Sequence, residues 1–245
     1  MTTLLTLNIQ SYADKHGDWV DRRPLIERAI AEAQPDIVAL QAVSLDSARH
    51  PDDQATQLAY SLGGYRAVFV PATTHGDGRQ DGLAFLSRGP LPDVQPFALS
   101  LRDGLEDTAQ RVMLCARFDL PDGPLDVFNA HFSWVAEQQG DNVTEALWAL
   151  SASSGAAALV GDFNMQPDNP HLVRLREAGW TDAWAGLRGQ EDGFTFVERQ
   201  EPSIRIDYVW TRGLAARDIH VVLAEGEGTR RASDHAGLLA RLERA

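Results

Sequence analysis

Residues 156–170, AAALVGDFNMQPDNP, constrain the fold more than any other stretch of this 245-residue chain. Ala156 to Val160 is an unbroken small and aliphatic run, which reads as a strand buried on both faces. Such a strand needs a covering layer above and below it, and this one stops at Gly161 to release Asp162, Phe163 and Asn164. In extended chain, residues two apart point the same way, so Asp162 and Asn164 are expected on one side with Phe163 anchored on the other. Pro167, Asn169 and Pro170 then turn the chain away. Taken alone, a D-x-N at a strand end is also an ordinary polar turn, because Asp and Asn side chains bond their own backbone.

The rest of the chain alternates two patterns. LLTLN, Leu4 to Asn8, reads as a strand, and a helix starts near Asp21 and Pro24. It carries Leu25, Ile26, Ala29, Ile30 and Ala33 at helical spacing until Pro35 stops it, and a second apolar strand runs from Ile37 to Leu40. This is a strand, helix, strand unit of the α/β kind. Gln54 to Leu62 reads as a helix closed by Gly63 and Gly64, Tyr65 to Val70 as a strand, Thr73 to Asp81 as a mobile loop and Gly82 to Ser87 as apolar strand. From Val94 strands follow one another without long helices between them: Val94 to Leu99, Val112 to Leu120 and Leu125 to Ala130. The last two are joined by the hairpin signal Pro121 to Pro124. Helices are expected over Asn142 to Ala152 and His171 to Ala178, then a loop through Gly193 and strands at Ile204 to Trp210, Ile219 to Leu223 and Ala236 to Leu242. No repeat, low-complexity tract or linker divides the chain, so residues 1–245 are expected to form a single domain of two packed mixed sheets covered by helices.

Composition narrows the partners. An apolar fraction of 44% is that of a soluble globular chain, and no stretch approaches the roughly 20 apolar residues of a membrane span. MTTLLTLN lacks the basic region and cleavage site of a signal peptide, and the lone Cys115 cannot form an internal disulfide, so a cytoplasmic setting is expected. The formal charge is −13, and Lys15 is the single lysine. Such a surface repels a polyanion at long range, which disfavours nucleic acid as partner while leaving small phosphorylated substrates open. Acidic residues gathered in one cleft would attract a hard divalent cation.

Several polar side chains fall at strand ends as Asp162 and Asn164 do. Asn8 ends LLTLN, His131 ends LDVFNAH, Asp207 lies in RIDYVW, and Asp234 and His235 stand in SDH before the last strand. Each has a bland alternative: Asn8 and Asp234 as turn or helix caps, His131 as a hydrogen-bonded structural histidine. Asp207 between Ile206 and Tyr208 resists that treatment, since a carboxylate inside a sheet is costly unless paired or metal-bound. Asp207 beside His235 reads as an orienting pair that fixes the imidazole tautomer and raises its basicity.

Together these segments resemble the endonuclease/exonuclease/phosphatase superfamily, the deoxyribonuclease I-like group. The matching pieces, in the family's order, are LLTLN at Asn8, PDIVALQ at Pro35 to Gln41, GLAFLSR at Gly82 to Arg88, NAH at Asn129 to His131, GDFN at Gly161 to Asn164, RIDYVW at Arg205 to Trp210, and SDH at Ser233 to His235. The resemblance implies a four-layer α/β/β/α sandwich and a phosphoric ester hydrolase using Mg²⁺ or Mn²⁺. It places Asn8 and Asp234 in the metal shell, and Asp162 and Asn164 on the attacking water and phosphoryl oxygens. His235, oriented by Asp207, then lies at the scissile phosphate, with His131 on the phosphate or leaving group. Either Asp162 or His235 takes the proton. Arg111, at a strand start, is a candidate guanidinium for the phosphate, or one half of a surface salt bridge.

One position departs from the family pattern. After PDIVALQ the family carries a metal-binding glutamate, LQEV, and this chain carries Ala42, LQAV. A methyl group cannot coordinate a cation, and Asp46 reaches the site only if its loop folds back. Three readings follow: a glutamate replaced to disable the enzyme, a natural enzyme that holds its metal differently or weakly, or a natural pseudoenzyme that binds a phosphorylated ligand without turnover. A small phosphodiester or phosphomonoester is the expected substrate. A nuclease acting on DNA or RNA is the alternative. Trp19 and Trp134 are isolated aromatics, and Trp180, Trp184, Phe194, Phe196 and Trp210 read as core or pocket wall.

Overall fold

The computed structural model describes residues 1–226 and 230–245. In chain order its first half holds β1 (Thr2–Asn8), α1 (Trp19–Ala33), β2 (Ile37–Leu45), α2 (Gln54–Leu62), β3 (Arg66–Thr74) and β4 (Gln80–Ser87). The middle holds β5 (Val94–Ala98), β6 (Val112–Leu120), β7 (Gly123–His131), α3 (Ala136–Leu150) and β8 (Ala157–Asp162). The remainder is α4 (Pro170–Glu177), β9 (Thr181–Asp182), α5 (Ala183–Arg188), β10 (Phe196–Val197), β11 (Pro202–Ile204), β12 (Asp207–Arg212), β13 (Leu214–Val222) and β14 (Gly237–Arg244).

These strands form two six-stranded sheets, ordered β13-β14-β1-β2-β4-β3 and β5-β6-β7-β8-β12-β9, with β10 and β11 as a separate pair. Each large sheet is built around one parallel pair, β1 with β2 and β7 with β8, flanked by antiparallel neighbours. A parallel pair needs a crossover, and α1 and α3 supply it. One apolar layer lies between the sheets, drawing Leu4, Ile37 and Phe85 from the first sheet and Leu114, Val127 and Val160 from the second. Two further apolar layers lie under the helices on the outer faces, one containing Ile26 and Leu58, the other Val143 and Leu172. Helices, sheet, sheet and helices therefore stack as the expected α/β/β/α sandwich.

One polar bridge crosses the apolar layer between the sheets. Gln41 and Asn129 are both fully buried, and Gln41 Nε2 donates to Asn129 Oδ1 at 2.7 Å and to Thr6 Oγ1 at 3.0 Å. Asn129 Nδ2 in turn donates to the carbonyls of Leu40 and Ala84 at 3.0 and 3.1 Å. Buried amides lose far more when left unpaired than they gain when paired, so this bridge fixes one register of sheet on sheet.

Two local expectations are corrected. Residues 73–81, expected as a loop, belong largely to the hairpin of β3 and β4, with the His75 N–H on the Arg79 carbonyl at 2.8 Å and His75 Nε2 2.6 Å from Asp81 Oδ2. The expected loop before Gly193 contains α5, capped by Asp182 Oδ1 accepting from the Trp184 and Ala185 N–H groups. No helix among the described residues is long and apolar enough to cross a membrane.

Candidate active site

Parallel strands place their carboxyl ends on one side of a sheet, where ligands of open α/β sheets characteristically sit. Here the four parallel strands deliver their ends to a common place: Asn8 ends β1, Ala42 lies in β2, His131 ends β7 and Asp162 ends β8. The antiparallel neighbours begin there. Asp207 opens β12 directly opposite Asp162, and His235 stands two residues before β14. Gly161 allows the close approach, because a Cβ there would lie 1.9 Å from the Ala130 carbonyl oxygen, and its φ of +131° suits glycine.

Asp162 is the hub of this cluster. Its carboxylate is buried, accepting the Asn164 N–H on Oδ1 and the Asn8 amide on Oδ2, both at 2.9 Å. His131 Nε2 lies 3.4 Å and His235 Nε2 3.6 Å from the same Oδ2. Behind His235, its Nδ1 meets Asp207 Oδ2 at 2.9 Å, while Asp207 Oδ1 is buried with no hydrogen-bond partner. Burial alone would lower the His235 pKa, but the charges of Asp207 and Asp162 overcome it and hold the ring protonated up to about 10. His131 goes the other way: desolvation and the Arg111 charge push it down to about 3 against the pull of Asp162. At neutral pH one ring is an imidazolium and the other a neutral donor.

A short segment that the sequence reading left as pocket wall clamps the pair. Thr195 Oγ1 accepts the N–H groups of Ile206 and Asp207, and its carbonyl accepts the Ala236 N–H at 2.7 Å. The Phe196 ring packs edge-on to the His235 imidazole at 4.9 Å, and the Val197 N–H bonds the Asp234 carbonyl. Asn164 departs from its expected extended pose. With φ +52° it is left-handed, and its Nδ2 donates to the Phe132 carbonyl at 3.0 Å instead of running parallel to Asp162. Phe163 is fully buried between Phe132 and Tyr208. Arg111 is mostly buried and ion-paired with Asp107, Nη2 to Oδ2 2.9 Å, and it lines a cavity together with His131.

On the facing sheet, β2 carries a bulge between Leu40 and Val43, and Ala42 inside it has φ +49°. Bulges re-aim a side chain, and this one turns the Ala42 methyl toward the same cavity. The Ala42 carbonyl is held by the Ser11 N–H at 2.7 Å and the Ser11 hydroxyl at 3.0 Å. Ser11 is tied in turn to Arg22, which is fully buried and donates to the carbonyls of Ile9, Ser11, Gly17 and Ala232. Asp234 follows two residues after Ala232, with its N–H on Gln10 Oε1 at 3.2 Å. Among the described residues, four of the six non-glycine positions with positive φ, Gln10, Ser11, Ala42 and Asn164, ring this one site.

The family model described as the Endonuclease/Exonuclease/phosphatase family matches residues 5–235. The chain belongs to that family. Among solved structures, an endonuclease/exonuclease/phosphatase from Bacteroides vulgatus aligns with TM-score 0.82 and 18% identity, covering 100% of this chain and 99% of that one. A family protein from Leptotrichia buccalis gives 0.80 and 17%, covering 99% and 100%. The mannosyl-6-phosphatase of Bacteroides thetaiotaomicron gives 0.80 and 18%, covering 99% and 100%. At these identities the structures establish the fold. No curated protein matches the chain.

Ligand atoms of Asp162, Asp207 and His235 lie within 4.8 Å of one another, a grouping that could hold a metal ion. The His235 ring stands between the two carboxylates of that grouping, Nδ1 2.9 Å from Asp207 and Nε2 3.6 Å from Asp162. The hard oxygens left for a divalent cation are Asn8 Oδ1, which also accepts the Gln10 N–H, and the half-buried Asp234 carboxylate. Asp46 stays on its own turn, bonding the Ala48 N–H and Arg49. One amide oxygen and one carboxylate are hard donors of the kind that Mg²⁺ or Mn²⁺ takes. Arg22 and Thr195 are the residues that sequence reading missed. Arg22 and Arg23 do stand in the first turns of α1, where the helix dipole disfavours cations, and that signal invites a search for the partners that hold them.

Proposed function

We propose that the chain binds a small phosphate ester where Asp162 and His235 meet and hydrolyses it at a rate limited by a weakly anchored divalent cation. The observation carrying this reading is the buried line Asp207, His235, Asp162, with Asn8 and His131 on the same Asp162 oxygen. Asp162 takes a proton from the attacking water as the new P–O bond forms. The imidazolium of His235 faces the phosphoryl oxygens and protonates the departing ester oxygen as the old P–O bond breaks. The proton on Asp162 then passes to His235 Nε2 across 3.6 Å, which restores both groups. Neutral His131 and Arg111 donate to the phosphate. Asn8 and Asp234 would hold the cation, whose chemistry is to polarise a phosphoryl oxygen.

The organic part of the ester has a groove of about 540 Å³ lined by Trp134, Met165, Phe196, Ile204 and Ile206 beside Asn164. The charge of −13 favours a small ester over DNA or RNA. A structural neighbour named as a mannosyl-6-phosphatase supports the same class. Ala42 favours a second reading, ligand binding without turnover. A panel of cations against phosphomonoesters and phosphodiesters, run on the chain and on Ala42→Glu, separates the two. The expected result is a rise of several orders of magnitude in Ala42→Glu, abolished by Asp162→Asn or His235→Ala, because a carboxylate in the cation shell is a main term in affinity for hard ions. Equal Mn²⁺ affinity and equal rates in both proteins would overturn the cation-limited reading, and tight phosphate ester binding without turnover in both would establish the second.

A further inference from the structure

The groove of about 540 Å³ beside Asn164 has one charged residue in its lining, Asp168. That carboxylate stands on the exposed loop after β8, and among the described residues no hydrogen bond or ion pair engages it. The amides around it are occupied. Gln139 Nε2 donates to the Asn164 carbonyl at 2.8 Å, Asn169 Nδ2 to Gln139 Oε1 at 3.0 Å, and Asn164 Nδ2 to the Phe132 carbonyl at 3.0 Å. Trp134 lines the same groove, and its side chain is 48% exposed. Guanidinium groups lie over the rings of Tyr12, Trp19, Trp180, Tyr208 and Trp210, but among the described residues none lies over Trp134. Trp134 also borders a cavity of about 360 Å³ whose charged lining residues are both acids, Glu106 and Glu137. The arginine on the neighbouring loop, Arg102, is spent on Asp141, with Nη2 to Oδ1 2.7 Å. An aromatic face and a carboxylate are the two groups that hold an organic cation. Here they share one groove, and no protein cation serves either.

From this arrangement we propose that the groove is an ammonium subsite: the alcohol part of the ester carries a cationic nitrogen, held by the Trp134 ring and the Asp168 carboxylate. The inference rests on the phosphate ester reading of the neighbouring cluster and deepens it. The two ends of the site then differ in sign, with His131 and Arg111 as donors toward the phosphoryl group and Asp168 at the other end. A carboxylate or second phosphate on the alcohol would face Asp168 and be repelled. The ligand class is therefore a phosphate ester of an amino alcohol. Such esters are found free in solution and as lipid head groups, and the test separates the two sources.

Titration calorimetry of the chain in the presence of Mn²⁺ compares phosphoethanolamine with propyl phosphate, in which a methyl group replaces the ammonium at nearly equal size. Phosphoethanolamine is expected to bind about tenfold tighter, the scale of a partly desolvated cation–π contact. Asp168→Asn and Trp134→Leu should each cut that preference to about threefold or less. Propyl phosphate should bind Asp168→Asn as it binds the chain, which shows that the variant is folded. Vesicles of phosphatidylglycerol with and without phosphatidylethanolamine form the second arm. Sedimentation that requires both phosphatidylethanolamine and Asp168 assigns the ammonium to a lipid head group, and its absence beside a tenfold preference assigns it to a free ester. Equal affinity for the two soluble esters, or a preference undiminished in Asp168→Asn, overturns the ammonium subsite alone. If neither ester binds, the phosphate ester reading falls together with it.

Discussion

Asp162, Asp207 and His235 hold one another by charge, whereas Asn8, Ala42 and Asp234 on the facing sheet are held in place through the backbone. In the first region two buried carboxylates flank one imidazole, and removing that ring leaves two like charges facing each other in a dry place. In the second, Arg22 gathers the carbonyls of Ile9, Ser11, Gly17 and Ala232, and Ser11 passes that constraint to the Ala42 bulge. The difference bears on what a change of side chain at each place would do. Changing a charge in the charge-held region alters the balance on its neighbours. Losing a side chain from the backbone-held region leaves bulge, loops and cavity standing.

The largest expected effect tests the charge-held region. In the Ala42→Glu background, Asp207→Asn should keep the fold and lower kcat by at least ~100-fold, since general acid and base assistance is typically worth about 10²–10⁴. Unchanged kcat in the folded variant would remove the Asp207 and His235 pair from the mechanism. Arg22→Met probes the opposite region. It strips the donors from carbonyls that are buried with it, at about 1–3 kcal/mol per orphaned acceptor, so a loss of roughly 3 kcal/mol or more in urea unfolding is expected. Arg22→Lys should fall between, because an ammonium keeps the charge without the planar fork. A loss below about 1 kcal/mol would mean that the loops hold themselves, and the contrast between the regions would fail.

The two histidines give the charge-held region a pH signature of both signs. His235 has a folded pKa raised from 6.5 to about 10, so its stabilisation is complete below about 6.5 and is lost as pH rises through 10. His131 has a folded pKa lowered to about 3, so its contribution is present above about 6.5 and is lost as pH falls toward 3. Urea midpoints of the chain should therefore fall on both sides of neutrality. Asp207→Asn should flatten the alkaline limb and His131→Gln the acid one, each leaving the other limb in place. An alkaline limb unchanged in Asp207→Asn would break the link between that carboxylate and the ring.

Much of this was legible in the sequence, and the boundary is physical. Apolar runs and breakers marked α1, α2, β6 and β8 closely, because β8 is buried on both faces, β6 alternates buried and exposed residues along its second half, and the helices bury one face. The strand-end positions of Asn8, His131 and Asp162 were readable for the same reason, whereas Asp207, expected inside a strand from Ile204, opens β12 instead. Asn164 was misplaced because period-two reasoning assumes extended backbone, and it turns left-handed to reach Phe132. The helix α5 hid behind Trp184 and a short length, although Asp182 was there to cap it. Arg22 was invisible for a different reason: one of its acceptors lies 210 residues away, and nothing in DRRP says which arginine turns inward.

The smallest expected effect asks whether the backbone-held region stores strain at residue 42. An L-residue in left-handed conformation costs about 1–2 kcal/mol relative to glycine's freedom there, while glycine gives back roughly 0.5–1 kcal/mol through its more mobile unfolded chain. Ala42→Gly should therefore be neutral to about 1 kcal/mol more stable by urea unfolding, with the bulge intact. Glutamate shares alanine's backbone cost, so Ala42→Glu should change stability little in the absence of cation and gain it on adding Mn²⁺. The two variants then sort the contributions at one position, with glycine reporting on the bulge and glutamate on the ion. If Ala42→Gly were clearly destabilised, the methyl would be contributing packing in the cavity, and the picture of a site whose scaffold persists independently of the side chain at 42 would have to be given up.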